Sequence, residues 1–447
     1  FRLLGAIMSV LLAAAALAGA SHIHQEAPKR APMADKEAAK PTPRPDRIIL
    51  TWEGDPATSQ AVSWRTDTSV DAALAQIAPA ADGPLFIKDN LFLKEIKGVT
   101  ETLKTDLNEA KFHSVSFTGL KPKTKYVYRV GDGTDWSEWI QFTTASQKAE
   151  PFSFIYFGDA QNDLRSMWSR VIRQAFTDAP KAKFMIHAGD LINRANRDGE
   201  WHEWHQAGGW LNAMMPSFPT PGNHEYEKPA DSDKRVISRH WRPQFTLPTN
   251  GVKGLEESCY YMDFQGVRFI SLNSNERLEE QAVWLNQVLS GRRPRWTVVT
   301  FHHPVFSAAS GRDNPQVRNL WKPIFDRHKV DMVLQGHDHT YARGWYTNVP
   351  EGSMAVAKSG TVYVVSVSGP KMYNVERANW MARAAEDTQL YQIIHVDHYK
   401  MRYEAKTARG ALYDAFEIHK RIHGPNLLVE KKPKTPENLR PKKASPK

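Results

Sequence analysis

The chain has 447 residues, 41% apolar and 24% charged, ordinary values for a globular protein with room for more than one domain. The formal net charge is +10, but residues 430–447 hold seven basic and two acidic side chains, so half of the excess sits in one short tail. That tail contains four prolines and reads as a solvated end, and with no basic-aromatic motif elsewhere no nucleic-acid partner is expected.

In chain order, Leu3 to Leu17 is almost wholly apolar, and Ala18-Gly19-Ala20 supplies a small-x-small cleavage pattern before Ser21. Residues 1–20 read as a signal peptide, too short to span a bilayer, so the expectation is an exported protein, periplasmic or extracellular, with no transmembrane segment in the mature chain. Residues 21–45, with Pro28, Pro32, Pro41, Pro43 and Pro45, read as a linker. Over 46–146 the pattern is short β-type runs: Arg47–Trp52, Gln60–Thr66, Phe112–Phe117, Tyr126–Val130 and Trp139–Thr143. Runs at this spacing with no helical stretch predict a small β-sandwich. Cys259 is the only cysteine, so no internal disulfide can form.

After a polar join at 147–150 the pattern changes. Phe152–Phe157 and Phe184–His187 read as strands, and Leu164–Phe176 as a helix with Asp163 at its N-cap. Trp296–Phe301 and Val330–Leu334 read as further buried strands, with helical stretches near Glu279–Leu289 and Val317–His328. Tyr260–Phe264 with Val267–Leu272, and Tyr391–Val396 with Met401–Lys406, read as hairpins. The expectation for 151–423 is an α/β domain built on two mixed sheets flanked by helices, followed by a basic disordered tail over 424–447.

Five polar clusters punctuate this second domain: Gly158-Asp159-Ala160-Gln161, Gly189-Asp190-Leu191-Ile192-Asn193, Gly222-Asn223-His224-Glu225, His302-His303-Pro304 and Gly336-His337-Asp338-His339. All but the Asn223 cluster directly follow a clear apolar strand, and strand ends are where open α/β sheets bind ligands. Each alone is a weak signal, since a Gly-Asp after a strand is usually a turn. Five in one domain can converge on one point. Carboxylate, amide and imidazole form the donor set for a pair of hard-to-borderline metal ions. Two such ions, ~3.5–4 Å apart, clamp a phosphoryl group for in-line attack. His303, beside one candidate ligand, and Arg343, close after another, are candidate phosphate contacts. The dense stretch of Trp201, His202, Trp204, His205 and Trp210 reads as packing.

As a set, Gly158-Asp159, Gly189-Asp190, Gly222-Asn223-His224-Glu225, Val299-Thr300-Phe301-His302 and Gly336-His337-x-His339 resemble the signature of calcineurin-type metallophosphoesterases. The Gly119-Leu120-Lys121-Pro122 segment before Tyr126 is similar to the corner of a fibronectin type III domain. With such a module in front, the nearer resemblance is to purple acid phosphatases, over roughly residues 46–400. The resemblance implies that Asp159 and His339 bind a first ion, that Asp190 bridges both, and that Asn223, His302 and His337 bind a second. The ions would be Zn, Mn or Fe. A hydroxide between them would attack phosphorus, with its pKa lowered by the metals. His224 would stabilise the transition-state charge or protonate the leaving oxygen. The implied substrate is a small phosphorylated molecule, a monoester first. Diesters or pyrophosphates are the nearest alternative, because the metal chemistry does not distinguish them. A non-catalytic cell-surface binding protein on the same fold is a further alternative, against which every matched ligand position is intact. Two departures stand out. Purple enzymes carry Tyr three residues after the bridging Asp, where this chain has Asn193. Non-purple relatives often place a ligand His two residues after the first Asp, where this chain has Gln161. Both Gln161 and Asn193 are therefore candidates for either binding metal or supporting its ligands.

Overall fold

The computed structural model of the chain describes residues 33–87, 92–291, 294–345, 358–421 and 424–441. The leader read at 1–20 lies outside them. Among the described residues no helix is long and apolar enough to cross a membrane.

The N-terminal domain is all β. Asp46–Thr51, Gln60–Thr66, Glu109–Phe117 and Val99–Lys104 form one antiparallel sheet; Lys94–Lys97, Leu74–Pro79, Lys125–Gly131 and Ile140–Thr143 form the other. Trp64, Val115, Phe117, Tyr128 and Phe142 fill the space between them. The Tyr126 hydroxyl accepts the Lys121 backbone N–H at 2.8 Å, pinning the turn that precedes its strand. His113 is buried and lies between the hydroxyls of Thr66 and Thr100, at 2.7 and 2.9 Å.

The second domain is α/β, with two mixed sheets face to face and helices outside each. The first sheet runs, in spatial order, Ser217–Thr220, Met185–Ala188, Phe152–Phe157, Leu390–Val396, Lys400–Thr407, Leu412–His419, Asn426–Glu430 and Lys358–Ser359. The second runs Tyr260–Phe264, Val267–Ser271, Trp296–Thr300, Met332–Gln335, Val362–Val365, Tyr341–Trp345 and Met381–Ala385. Alternation along Phe152–Phe157 sends residues to both faces. Phe154 meets Phe269 of the second sheet at 5.2 Å, and Phe157 meets Trp168 of the outer helical layer at 5.9 Å. The helices Leu278–Ser290 and Pro315–His328 cover the far face of the second sheet, where Trp321 packs on Phe301.

Several local expectations are revised. Asp163 does not cap a helix: it sits in the left-handed region at φ +48° with no side-chain cap bond, and a wide turn over Leu164–Trp168 leads into the helix Ser169–Asp178. The linker read at 21–45 is, over 33–45, a docked segment. Its helical turn Asp35–Ala38 is tied by Arg197 to Asp35, and the following Ala39 carbonyl receives Arg65 at 3.0 Å. The tail read as disordered over 424–447 is fixed over 424–441. Asn426–Glu430 adds a strand beside Leu412–His419, Glu437 accepts from Arg377 and the Ala384 N–H, and Arg440 pairs with Asp387. Backbone pairing, Glu437 and Arg440 supply the fixed contacts, whereas composition weighed only the basic excess. Residues 442–447 lie outside the described set.

The two domains are joined by a buried ionic cluster. Arg47 makes a two-pronged contact with Asp198 at 2.7 and 2.9 Å, Arg65 lies 3.4 Å from the same carboxylate, and His240 Nε2 is also 3.4 Å away. Asp198 is fully buried, and against the opposing effect of burial the His240 imidazole and then the two guanidiniums hold its carboxyl well below the usual range. Asp198→Ala would leave two buried cations short of a partner. It should cost about 3–5 kcal/mol in denaturant unfolding. A second expectation concerns acid. Burial, with Lys111 adding to it, depresses the His113 imidazole from 6.5 to about 4. Below the ordinary value the unfolded chain binds a proton that the folded chain refuses, so this contribution is complete above pH 6.5 and is lost as pH falls towards 4. Unfolding measured across that window should show a shallower pH slope in His113→Gln.

Candidate metal centre

The site lies at one edge of the paired sheets. Phe152–Phe157, Met185–Ala188 and Ser217–Thr220 run parallel, so their C-terminal ends carry Asp159, Asp190 and Asn223 to the same side. Trp296–Thr300 and Met332–Gln335, parallel in the second sheet, deliver His302, His337 and His339 to it. The strand before Asn223 was not expected from the sequence. Ser217-Phe218-Pro219-Thr220 has one large apolar residue, yet all four are buried beside Met185–Ala188.

The turns that follow are tight. Asp159, Asp190, His337 and His339 all have positive φ, between +33° and +73°. Non-glycine residues hold such angles only where surrounding contacts enforce them, and such strain clusters at functional sites. Close approach also dictates two glycines. A Cβ on Gly222 would lie 2.2 Å from Asp190 Oδ1, and one on Gly336 would lie 2.4 Å from Asp159 Oδ2.

Two groups of donor atoms result, each within 4.8 Å: Asp190 with His302 and His337, and Asp159 with Asp190 and His339. Asp190 belongs to both. Asn223 Oδ1 lies 2.9 Å from His337 Nδ1 and 3.1 Å from His302 Nε2, and those two ring nitrogens are 3.2 Å apart. His302 Nε2 is also 3.1 Å from Asp190 Oδ2. Gln161 places its amide 2.9 Å from Asp190 Oδ2 and 3.2 Å from His339 Nε2, while its buried Oε1 has no partner.

Hydrogen bonds on the far side of the imidazoles fix which nitrogen faces inward. His302 Nδ1 is 2.9 Å from the Ala188 carbonyl and His339 Nδ1 is 3.0 Å from that of Lys371. A carbonyl only accepts, so each Nδ1 carries a proton, and in the neutral ring each Nε2 presents a lone pair. His337 approaches through Nδ1. Carboxylate oxygens, an amide oxygen and imidazole nitrogens thus converge on one small volume, and this residue set fits cations.

The electrostatics agree. Burial, with the neighbouring Asp190 charge, drives the Asp159 carboxyl well above its ordinary value. Burial opposes a charge on His302 too, yet the Asp190 and Asp159 carboxylates overcome it and raise the imidazole to about 9. Burial, with the His302 charge adding, pushes His337 down; His339 falls to about 3 chiefly through burial. The cluster is short of positive charge and crowded with nitrogen donors.

His224, part-exposed, points its ring to the same place: Nδ1 is 2.6 Å from the Asn193 carbonyl and Nε2 is 3.9 Å from Asp190 Oδ2. Asn193 therefore contributes through its backbone, and its own N–H donates to Glu200 at 2.7 Å. The His303 ring lies 4.4 Å from that of His337, tilted by 51°, with Nδ1 on the Ser274 hydroxyl; burial lowers its imidazole to about 3. Arg343, a candidate phosphate contact, is corrected. It is fully buried and spends four N–H groups on Asp414 and Glu430, so it faces a structural ion cluster and no ligand.

One residue of the motifs carries a role that its spacing did not disclose. The buried Glu225 carboxylate accepts the backbone N–H groups of Asp190, Leu191 and Gly222 at 2.8, 2.8 and 2.6 Å. It thereby staples the Asp190 turn to the Asn223 turn. The sequence signal for it is slight: a carboxylate two positions after a candidate ligand, in a stretch that is polar throughout.

The fold and the cluster define a class. Residues 152–341 match the calcineurin-like phosphoesterase family, and residues 45–144 match the purple acid phosphatase N-terminal domain. The chain belongs to the purple acid phosphatase-like metallophosphoesterases, a family with a dinuclear metal site. Similar proteins include an uncharacterized protein of Mycobacterium tuberculosis, 25% identical over 66% of this chain and 61% of its own length. Purple acid phosphatase 21 of Arabidopsis thaliana is 28% identical over 53% of this chain and 54% of its own length. Acid phosphatase type 7 of Danio rerio is 25% identical over 70% and 79%. The chain thus spans between 54% and 61% of the first relatives it matches. In fold, it resembles a purple acid phosphatase from yellow lupin seeds, with TM-score 0.71, 18% identity, and coverage of 85% of this chain and 75% of that one.

Glu225→Ala tests the staple. It would orphan several buried N–H groups, each at ~1–3 kcal/mol. The expected result is a lowered melting temperature together with fewer ions retained per chain by elemental analysis.

Proposed function

We propose that the chain is a metal-dependent phosphatase that hydrolyses small phosphomonoesters. The observation that carries this reading is the sharing of Asp190 between two groups of donor atoms. One carboxylate has two oxygens and can hold two cations side by side. Asp159 and His339 would complete the first position, with Gln161 in reach of it, and Asn223, His302 and His337 the second. Bound there, a pair of ions supplies Lewis-acid stabilisation of the phosphoryl oxygens and an activated water nucleophile. Nitrogen and oxygen donors without thiolate suit Zn, Mn or Fe.

The chain's own residues do the rest. The carbonyls of Ala188 and Lys371 hold the imidazole rings in the ligating orientation. Asn193 keeps the His224 proton on Nδ1, which leaves Nε2 facing the cleft for the charge that develops on the leaving oxygen. Because position 193 has no phenol, no tyrosinate-to-iron absorption should arise. The Tyr126 corner supports a fibronectin type III-type leading module, and the apolar run at 3–17 supports export to the periplasm or beyond.

Metal-replete protein should cleave a chromogenic phosphomonoester faster than its bis-ester analogue, and chelator should stop both. Turnover of the bis-ester alone would reassign it as a diesterase, and turnover of neither would return it to a binding role. Asp190→Ala should lower turnover at least ~100-fold and reduce metal content. The loaded protein should be colourless; an intense violet band would contradict the reading of Asn193.

A further inference from the structure

The edge of the sheets opposite the metal-ligating turns carries a second group of charges. Phe152–Phe157, Met185–Ala188 and Ser217–Thr220 run parallel, so their N-terminal ends lie together. The length of Phe152–Phe157, ~20 Å, separates those ends from the donor-bearing turns. Lys181 and Lys183 lead into the second of these strands and Met214 into the third. Val396 pairs with Phe152, which brings the turn at 397–399, with Lys400 and Arg402, to the same end. Lys181 and Lys183 line two open hollows there. One is completed by Lys125 of the N-terminal domain and by Met214, the other by His395, Lys400 and Arg402.

These cations are weakly paired. Lys125, Lys181 and Lys183 are exposed, and their ammonium groups have no carboxylate partner among the described residues. Lys400 reaches Glu417 only at 3.7 Å and Arg402 pairs with Glu404, and both basic side chains stay half-exposed. Asp397, the carboxylate in the second hollow, accepts the Tyr399 and Lys400 N–H groups at 2.8 and 2.7 Å. Large apolar side chains stand in water among the charges. Trp210 is 56% exposed and Met214 41%, one turn apart and so on one side of the short helix Trp210–Met214. Phe176 braces the Trp210 ring edge-on at 5.1 Å. Tyr399 is 60% exposed, with the Arg295 guanidinium carbon 4.5 Å from its ring centroid.

We propose that this edge docks the protein on an anionic lipid bilayer, with the metal-ligating turns facing away from the membrane. The proposal goes beyond the phosphatase reading and does not depend on it. The lysine and arginine heads meet lipid phosphates, an attraction that falls off within a Debye length. Trp210, Met214 and Tyr399 enter the headgroup layer, where an aromatic ring buries its apolar body and keeps its polar tip wet. A soluble polyanion would satisfy the cations and leave those three side chains in water, so charge and apolar exposure together select the bilayer. Docked this way, the donor atoms stand ~20 Å above the lipid, open to substrates in solution.

The test is co-sedimentation of the full chain with vesicles of phosphatidylcholine alone and of phosphatidylcholine mixed with phosphatidylglycerol in equal parts. The apolar run at 3–17 would hold both kinds of vesicle alike, so the readout is the ratio of the two partition coefficients. That ratio should exceed about tenfold at low salt and fall as salt is raised. Lys181→Gln combined with Lys183→Gln should lower it about tenfold or more, at about fivefold per charge. Trp210→Ser combined with Met214→Ser should weaken binding to the anionic vesicles severalfold, with the melting temperature unchanged in both double variants. Lys442→Gln with Lys443→Gln, in the basic tail, should leave the ratio as it is. A ratio near one in the unaltered protein, or a preference removed by the tail variant and untouched by the Lys181 and Lys183 variant, would overturn the proposal. Dependence on the lysines with none on Trp210 and Met214 would also overturn it, and would leave a soluble polyanion as the occupant.

Discussion

Two buried carboxylates, Asp159 and Asp190, share one small volume with imidazole lone pairs, and such an arrangement demands positive charge. Much of the surrounding structure answers to that demand. Gly222 and Gly336 exist as glycines because a Cβ would collide with the carboxylates. The ligand-bearing turns accept left-handed backbone because sheets on both sides fix their ends. Glu225, a third buried carboxylate, is tolerated because backbone N–H groups surround it, and it holds two ligand turns together.

The seam between the sheets makes this possible. One sheet supplies the carboxylates and the amide, the other the three imidazoles, and neither sheet alone builds a site. Aromatic packing of Phe154, Phe184, Phe264 and Phe269 sets the separation of the layers, and with it the reach of each side chain.

The N-terminal domain connects to this chemistry through a short chain of contacts. Arg47 and Arg65 grip Asp198 at the start of the helix Asp198–Gly208. In the same first turn, Glu200 accepts the N–H groups of Asn193 and Arg194, and the Asn193 carbonyl orients His224. The sandwich thus buttresses the loop that aims a candidate catalytic imidazole, although it contributes no side chain to the metal cluster.

The donor residues that the structure gathers were legible in the sequence, because all but Asn223 sit where an apolar run breaks into a polar cluster, a local signal that needs no partner. Strand alternation and the order of helices gave the two-layer α/β class for the same reason. Other features depend on what lies across space. Ser217–Thr220 is a strand because Met185–Ala188 runs beside it, and its own composition says little. Arg343 looks like a phosphate contact until Asp414 and Glu430, 71 and 87 residues away, are seen to enclose it. The tail is ordered by a backbone-paired strand and by single residues such as Glu437 and Arg440 that composition averages away. The sequence by itself determined which atoms are offered to cations and at which strand ends; only the tertiary structure decided that they share one carboxylate and which tautomers they adopt, because hydrogen-bond partners and electrostatic neighbours are set by long-range packing.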